Sequence, residues 1–288
     1  MNEKLNILEL IKKEKMLVIP GVYDALSAKI AEKAGFPVIV MGGYSVSGTR
    51  LGQPDVGYLT MSEMSSQIKV ISDVVHIPLI ADGDTGYGNP LNVMRTVREY
   101  EKAGASGIIL EDQQWPKRCG HMEGKQIISM EEHVKKIEAA IEARSDKNFI
   151  IIARTDSLST HSIEEAIWRG KSYRDAGADV VFVEAPQSVQ ELMTLRDSIE
   201  DVPLAASIVE GGKTPLLSAR RFGEMGYNIL FFGCTAVFII AKGLMDAMIY
   251  LKREGSTEGL LAKMYGFREF NELIGLQEFS HLEEKFKF

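Results

Sequence analysis

The feature that most constrains the fold of this chain is a pattern that recurs along the sequence. An amphipathic helix ends at a glycine, and a short apolar run follows after two or three residues; the four glycines are Gly35, Gly104, Gly177 and Gly226. Glycine adopts the left-handed conformation at a helix end at little cost, and apolar runs without polar alternation are typical of parallel strands buried on both faces. The pattern therefore predicts repeated helix-to-strand connections in a parallel sheet.

Further apolar runs and amphipathic segments complete an alternating series. Eight strands are predicted at residues 17–19, 38–41, 79–81, 108–110, 149–152, 180–183, 204–206 and 229–232. Eight helices are predicted at residues 24–34, 61–75, 90–103, 129–143, 163–176, 189–198, 215–225 and 236–253. This alternation favours a (β/α)8 TIM barrel over an open doubly wound sheet, and no Gly-x-Gly-x-x-Gly motif follows the first strand.

We expect the barrel to be one catalytic domain, residues 1–255, followed by a C-terminal helical extension, residues 256–288. The length of 288 residues and the 45% hydrophobic content suit one large domain. The extension contains a helical hairpin at 260–286 whose apolar residues need a partner surface. We therefore expect the extension to pack on another subunit.

Charge and cysteine usage exclude several classes of protein. A net charge of -7 and a pI near 5.4 provide no electrostatic footprint for nucleic acid or for an anionic membrane. The longest apolar run, near 229–240, is broken by Gly233 and Thr235 and is too short to span a bilayer. Two distant cysteines and no hydrophobic leader predict a cytoplasmic protein without disulfides.

Polar residues mark the ends of the predicted strands. Counting seven residues on from the four glycines leads to Gly42, Glu111, Glu184 and Gly233. The third strand ends in Asp82-Gly83-Asp84, the fifth in Arg154-Thr155-Asp156 and the seventh at Ser207. A barrel brings the carboxyl ends of its strands to one face, where catalytic groups are found. We therefore expect these side chains to converge.

Four of these acids predict a metal site. Asp82, Asp84 and Glu111, with Asp55 in a Gly-Gln-Pro-Asp loop, offer only oxygen ligands, which favour Mg²⁺, with Mn²⁺ as a substitute. Mg²⁺ usually retains several waters, so some of the acids are expected to hold waters and not the ion itself. The alternative is that Asp82 and Asp84 cap the following helix.

The segment Lys117-Arg118-Cys119-Gly120-His121 is the strongest sign of chemistry. Flanking cations favour the thiolate, and Gly120 allows the backbone to move, so Cys119 is expected to take part in acid-base work. The alternative is an exposed cysteine in a basic surface loop. His121 is expected either to bind the substrate or to lower the pKa of the thiol.

Arg154 is the natural clamp for a substrate carboxylate, because a guanidinium grips it with two parallel hydrogen bonds. The alternative, an ion pair with Glu184, is compatible with that role. Cys234 is interpreted as a small buried hydrophobe. No role is assigned to His76, His133, His161 or His281.

These motifs together resemble the isocitrate lyase and phosphoenolpyruvate mutase superfamily over essentially the whole chain. The matching segments are 117–121, 82–88, 153–156 and 183–186. The resemblance implies a barrel whose eighth helix is swapped between subunits of a homotetramer. It also implies that Gly42-Gly43-Tyr44 contributes backbone amides to the substrate, that Asp55, Asp82, Asp84 and Glu111 surround magnesium, and that the Cys119 loop closes over the ligand.

The residues and the resemblance together define the expected site. The catalytic candidates are Cys119, His121, Lys117, Arg154 and Glu184, and the substrate-binding candidates are Gly42, Gly43, Tyr44, Gly120, Arg154 and Ser207. Mutases and simple decarboxylases of the superfamily generally lack this cysteine, so the resemblance implies a carbon-carbon lyase acting on a small dicarboxylate.

The branch of the family is suggested by the seventh strand. Ser207-Ile208-Val209 departs from the Asn-Ile-Thr typical of methylisocitrate lyases, which favours a substrate with two carboxylates. Residues 270–276 also look more like the malate-cleaving branch. The expected substrate is 2,3-dimethylmalate or a related alkylmalate. The alternatives are 2-methylisocitrate cleavage, oxaloacetate hydrolysis, phosphonate rearrangement, and a barrel that binds a dicarboxylate without turning it over.

Overall fold

The computed structural model describes residues 6–287, and its central element is a closed parallel barrel of eight strands. The strands are β1 Leu17–Val22, β2 Ile39–Met41, β3 Leu79–Asp82, β4 Gly107–Glu111, β5 Ile150–Thr155, β6 Val180–Val183, β7 Leu204–Ser207 and β8 Ile229–Phe232. Each strand pairs with the next, and β1 pairs with β8 from Leu17 opposite Ile229 to Pro20 opposite Phe232. The predicted (β/α)8 fold is confirmed.

The helices follow the strands as the sequence pattern predicts. They are α1 Ile7–Glu14, α2 Ala25–Lys33, α3 Gly43–Val46, α4 Met61–Ser72, α5 Pro90–Ala103, α6 Met130–Ala143, α7 Ser157–Thr160, α8 Ile163–Asp175, α9 Val189–Ser198, α10 Ala219–Glu224, α11 Thr235–Glu254, α12 Phe267–Leu273 and α13 Leu276–Lys285. The predicted helix at 215–225 begins later, at Ala219. A π-helical turn, Ser47–Leu51, follows α3, and a 3-10 helix, Glu258–Lys263, precedes α12.

The punctuating glycines have the conformation that the pattern requires. Gly35, Gly104, Gly177 and Gly226 have φ angles of 90°, 101°, 97° and 89°. These values lie in the left-handed region, where a Cβ would be strained. The local signal therefore ends four helices and starts the strands behind them.

The barrel interior is apolar, and α1, a helix that the sequence pattern did not reveal, packs against it. Ile7, Leu10 and Ile11 of α1 belong to the same buried cluster as interior residues such as Ile80 and Phe231. The side chain of Asn6 caps α1 by accepting from two backbone amides. Because α1 precedes the first strand, no repeat announces it, and α3 and α7 are too short to show a helical period.

The chain divides into two compact units at Thr235 and Ala236. The second unit exposes large apolar side chains, among them Ile239 (68%), Met245 (60%), Phe267 (89%) and Phe279 (64%). The proposed division into residues 1–255 and 256–288, with the extension on a partner subunit, stays a prediction. None of the helices over residues 6–287 has the length and apolar run that crossing a membrane requires.

Candidate active site

The carboxyl ends of the strands surround a cavity of about 90 Å³. Its lining includes most of the residues singled out from the sequence: Gly42, Gly43, Tyr44, Asp55, Asp82, Lys117, Cys119, Gly120, His121, Arg154, Glu184 and Ser207. Asp84 and Glu111 lie behind this lining and are buried. The structure thus brings the strand-end residues to one mouth of the barrel.

Lys117 lies within the acid cluster and not beside the thiol. Its Nζ is 2.7 Å from Asp55 Oδ1 and 2.6 Å from Asp84 Oδ1, and all three side chains are buried. Although burial opposes its charge, the carboxylates of Asp84 and Asp55 raise the pKa of Lys117 well above its ordinary value. The ammonium is therefore permanently charged.

The alternative that Asp82 and Asp84 cap the next helix does not describe the structure. The N-cap of α5 is Asn89. The two carboxylate oxygens of Asp82 instead accept from the amide of Gly43 and the amide of Asp84, each at 3.0 Å. Asp84 has a φ of 47°, an uncommon angle for a side-chain-bearing residue. The turn after β3 therefore positions the acids of the cluster and does not cap α5.

The cluster holds more negative charge than its neighbours neutralise. Burial raises the pKa of Asp84 despite Lys117, with Asp82 and Asp55 adding to the rise, and burial likewise raises the pKa of Glu111 despite Arg154. One oxygen of Glu111, Oε1, is buried without a hydrogen-bond partner. A divalent cation with oxygen preference fits this surplus of hard donors.

The fit is to a hydrated ion and not to a complete protein shell. Over residues 6–287, no three acidic, histidine or cysteine side chains come together in a ready-made metal-binding geometry. Mg²⁺ commonly takes one or two carboxylates and keeps its remaining waters. The donor set is compatible with that mode of binding.

Arg154, near the end of β5, is surrounded by carboxylates. It donates to both oxygens of Asp156, at 3.0 and 3.1 Å, and lies 3.3 Å from Glu111 and 3.6 Å from Glu184. The guanidinium also lies 5.6 Å from the centre of the Phe182 ring. Although burial opposes its charge, Asp156 and Glu184 raise the pKa of Arg154 further. The ion pair with Glu184 is present, and it is one of three.

His121 connects the segment around the thiol to the end of β6 and to the loop that follows β7. Its Nε2 lies 3.0 Å from Glu184 Oε1, and its Nδ1 accepts from the backbone amide of Lys213 at 2.9 Å. Nδ1 is therefore a hydrogen-bond acceptor, and Nε2 is the ring nitrogen that faces the carboxylate. Although burial acts against the charged carboxylate, Arg154 and His121 lower the pKa of Glu184. Glu184 is therefore ionised.

Cys119 is partly buried, and the expectation that flanking cations favour its thiolate is wrong. Burial raises the pKa of the thiol from 9.0 to about 11, with Asp55 and Glu184 adding to the rise and the amide of His121 and Arg154 opposing it. Lys117 is turned toward the acids, and Arg118 is exposed. The thiol is therefore protonated at neutral pH, and it lines the cavity and does not lie in an open surface loop.

Close packing around residue 120, and not a need for backbone flexibility, requires a glycine at this position. A Cβ at this position would lie 2.5 Å from Arg154 Nη2 and 2.5 Å from Glu184 Cγ. Gly43 is similarly enclosed, since a Cβ there would lie 3.0 Å from Asp82 Oδ2. Both glycines allow the backbone to approach charged groups closely.

Two contributors to the site had no assigned role from the sequence. Asp112, behind β4, accepts from Thr155 Oγ1 at 2.6 Å, Asp156 N at 2.9 Å, Arg169 at 2.9 Å and Tyr173 at 2.7 Å, so it holds the end of β5 in place. Cys234 is buried as expected, but it also lines the cavity. Its position two residues after the end of β8 was the available signal, since strand-end positions face the site.

Comparisons with known proteins agree with this architecture. The sequence model of the family described as phosphoenolpyruvate phosphomutase matches residues 7–251. The chain is 44% identical to 2,3-dimethylmalate lyase of Eubacterium barkeri over 99% of both chains. It is 41% identical to 2-methylisocitrate lyase of Aeropyrum pernix, over 94% of this chain and 87% of that one.

Solved structures agree with the sequence relatives. A crystal structure of 2,3-dimethylmalate lyase matches with a TM-score of 0.91 and 36% identity, covering 97% of this chain and 93% of the other. Oxaloacetate acetylhydrolase bound to 3,3-difluorooxalacetate matches at 0.91 with 34% identity, covering 97% and 95%. Phosphonopyruvate hydrolase with oxalate and Mg²⁺ matches at 0.89 with 29% identity, covering 98% of both chains. The chain therefore belongs to the PEP mutase/isocitrate lyase superfamily.

Proposed function

We propose that this protein is a carbon-carbon lyase that cleaves 2,3-dimethylmalate or a related alkylmalate to pyruvate and a carboxylic acid such as propionate. One observation carries the proposal. A thiol that burial keeps protonated, Cys119, lines the same small cavity as the acid cluster and Arg154. Cleavage of a 2-hydroxy dicarboxylate requires those three functions: a cation site, a carboxylate clamp and a proton donor.

The substrate is bound by one carboxylate at Arg154 and by the backbone amide of Gly42, with Gly43, Tyr44 and Ser207 in the lining of the same cavity. The amide of Gly43 already donates to Asp82. Arg154 exchanges part of its contact with Glu111 or Glu184 for the substrate, because a guanidinium has five donors. Asp55, Asp82, Asp84 and Glu111 would hold Mg²⁺, directly or through water, with Mn²⁺ as a substitute. A bound divalent cation would supply the positive charge that lowers the cost of ionising the substrate hydroxyl.

Bond cleavage leaves a carbanion, which Cys119 protonates. When the hydroxyl gives its proton to a water molecule and C2 becomes a ketone, the C2–C3 bond breaks and its electron pair remains on C3, next to the second carboxylate. Cys119 donates a proton to C3, and water returns a proton to the thiolate after product release. His121 and Glu184 keep the segment around Cys119 closed over the cavity, which excludes bulk water and strengthens each charge interaction. Lys117 holds Asp55 and Asp84 in place.

The cavity favours a small substrate. About 90 Å³ is available, and Val209 and Cys234 add no cationic group to its wall. At the end of β7, Ser207 and Val209 offer no charged partner to a third carboxylate, as in 2-methylisocitrate, although a relative of that name is 41% identical. Oxaloacetate hydrolysis is the second candidate, supported by the likeness to oxaloacetate acetylhydrolase.

The test is product formation from a panel of 2,3-dimethylmalate, other alkylmalates, 2-methylisocitrate and oxaloacetate, with Mg²⁺ present. We expect pyruvate plus the matching monocarboxylic acid from an alkylmalate. Oxalate and acetate from oxaloacetate alone would replace the proposal with the hydrolase. Binding of the panel without turnover would identify a dicarboxylate-binding protein.

We further propose a homotetramer that exchanges its eighth helices, α11, between subunits and works in the cytoplasm. The support is the exposed apolar surface of the second unit, which includes Ile239, Met245, Phe267 and Phe279. Such a surface is unfavourable in water unless it is covered. Sedimentation should give about four times the 32.0 kDa chain mass, and a monomer at micromolar concentration would contradict the assembly.

A further inference from the structure

The segment that carries the thiol is a loop closed upon itself, residues 113–127, here called the thiol loop. Gln113 and Ile127 form an antiparallel bridge at its base, and the amide of Gln114 donates to the carbonyl of Gln126 at 2.8 Å. The side chain of Gln113 also makes two 2.9 Å hydrogen bonds with the main chain of Arg118. These bonds hold the loop together but do not fix its place over the cavity.

Lys125 is a buried group that joins the thiol loop to the barrel. Its side chain is 2% exposed, and its Nζ lies 2.9 Å from Asp156 Oδ1. The same ammonium donates to the carbonyl of Gly120, the residue directly after Cys119. Among the residues that line the cavity, neither Lys125 nor Asp156 is found. Lys125 therefore reaches the site through its partners.

Asp156 is a firm anchor for this link. Both of its carboxylate oxygens accept from Arg154, and its backbone amide donates to Asp112 Oδ1 at 2.9 Å. Gly120, at the other end of the link, has no room to move inward, because a Cβ there would already overlap Arg154 and Glu184. The link therefore holds the loop backbone at the barrel on the Gly120 side of the thiol, while the amide of Cys119 donates to the carbonyl of Asp55 at 3.1 Å.

We propose that Lys125 is a positioning residue, which holds Cys119 over the cavity by joining the Gly120 carbonyl to the Asp156 carboxylate. A lysine can satisfy both acceptors at once, because its ammonium carries three donors. An apolar side chain would leave a buried carbonyl and part of a buried carboxylate unsatisfied, which favours release of the loop. The link to turnover rests on the proposed function, whereas the position of the loop does not.

The experiment measures how fast iodoacetamide labels each cysteine at pH 8, by peptide mass mapping of the full-length protein. The variants are Lys125→Met, Lys125→Arg and the control Lys147→Met, which removes an exposed lysine. We expect Lys125→Met to label Cys119 at least about tenfold faster than the wild type, because labelling follows the open population of the loop. Labelling of Cys234 should change less than about twofold, and Lys125→Arg should restore most of the protection.

Turnover supplies a second readout. In Lys125→Met we expect kcat to fall by about 10- to 100-fold with KM within about threefold, because the groups that bind the substrate remain in place. Wild-type labelling of Cys119 in a folded Lys125→Met protein would overturn the proposal. If that variant does not fold, Lys125→Gln keeps a donor for Gly120 but not the charge. Faster labelling of Cys119 in Lys125→Gln than in the wild type would then support the proposal, and the wild-type rate would overturn it. Cys119 could be labelled faster in Lys125→Met while neither the wild type nor any variant shows lyase activity. That result would uphold the positioning role of Lys125 and reject the proposed function.

Discussion

One methyl group added at Gly120 tests whether the thiol loop must lie against Arg154 and Glu184. The added Cβ would lie 2.5 Å from Arg154 Nη2 and from Glu184 Cγ. Carbon contacts in proteins are favourable at about 3.5–4.0 Å, so the loop must withdraw by about 1 Å or its neighbours must yield. Gly120 does not have a left-handed φ. Alanine is therefore not strained in its own backbone, and the effect is steric.

The neighbours of Gly120 are held too firmly to yield. Arg154 makes two hydrogen bonds to Asp156, and His121 lies 3.0 Å from Glu184. Overpacking of this kind costs about 1–3 kcal/mol. If opening of the loop relieves the strain, that energy lowers the closed population by about 5- to 150-fold. We expect kcat of Gly120→Ala to fall within this range, while the free energy of unfolding changes little.

The assay is pyruvate release from the best alkylmalate, paired with urea unfolding of the same preparation. The matched control is Gly223→Ala in α10, where a Cβ would meet Met16 at an ordinary 3.5 Å. Its kcat should equal that of the wild type. Wild-type kcat and wild-type stability in Gly120→Ala would refute the reasoning, because a closed loop could not then be needed in the geometry described.

The remaining predictions address the thiol, the acid cluster and a buried histidine. Cys119→Ser should lower turnover by about 10²- to 10⁴-fold with near-wild-type unfolding, because a hydroxyl is a much weaker acid than a thiol; unchanged turnover would remove Cys119 from the mechanism. Lys117→Met should cost about 3–5 kcal/mol of unfolding free energy, because it leaves Asp55 and Asp84 without their ammonium. A chelator should abolish activity, and Mg²⁺ should restore it and raise Tm; full activity in the chelator would overturn the metal assignment. His133 is buried, and burial lowers its pKa from 6.5 to about 3, so it stays neutral in the fold while the unfolded chain takes up a proton as pH falls below 6.5. Wild-type stability should therefore drop by about 1.6 kcal/mol more than that of His133→Gln between pH 6.5 and pH 5, and equal losses in urea unfolding at the two pH values would contradict this account.

The secondary structure and the location of the site could be predicted from the sequence, because both depend on local chemistry. The predicted strand at 180–183 and helices at 90–103 and 189–198 match the structure residue for residue. Glycine at a helix end and an apolar run behind it act over a few residues, so no distant contact is needed to recognise them. The barrel then brings Asp82, Arg154 and Glu184 to one mouth, since parallel strands share one direction.

The charge state of the site depended on contacts between residues far apart in the chain. The sequence places Lys117 two residues from Cys119, yet its ammonium lies between Asp55 and Asp84. The thiol is consequently protonated by burial and not ionised by its neighbours. A pKa reflects the solvent and charges around a group in space, and sequence spacing does not contain them.

The sequence by itself determined a barrel with acids and an arginine at the ends of its strands and a thiol in the loop after the fourth strand, because residue type and periodicity act locally. Only the tertiary structure decided which cation meets which acid, including the shared use of Asp156 by Arg154 and Lys125. Those pairings form where the end of β5 contacts the thiol loop, which follows β4. Their strength comes from the exclusion of water from that contact.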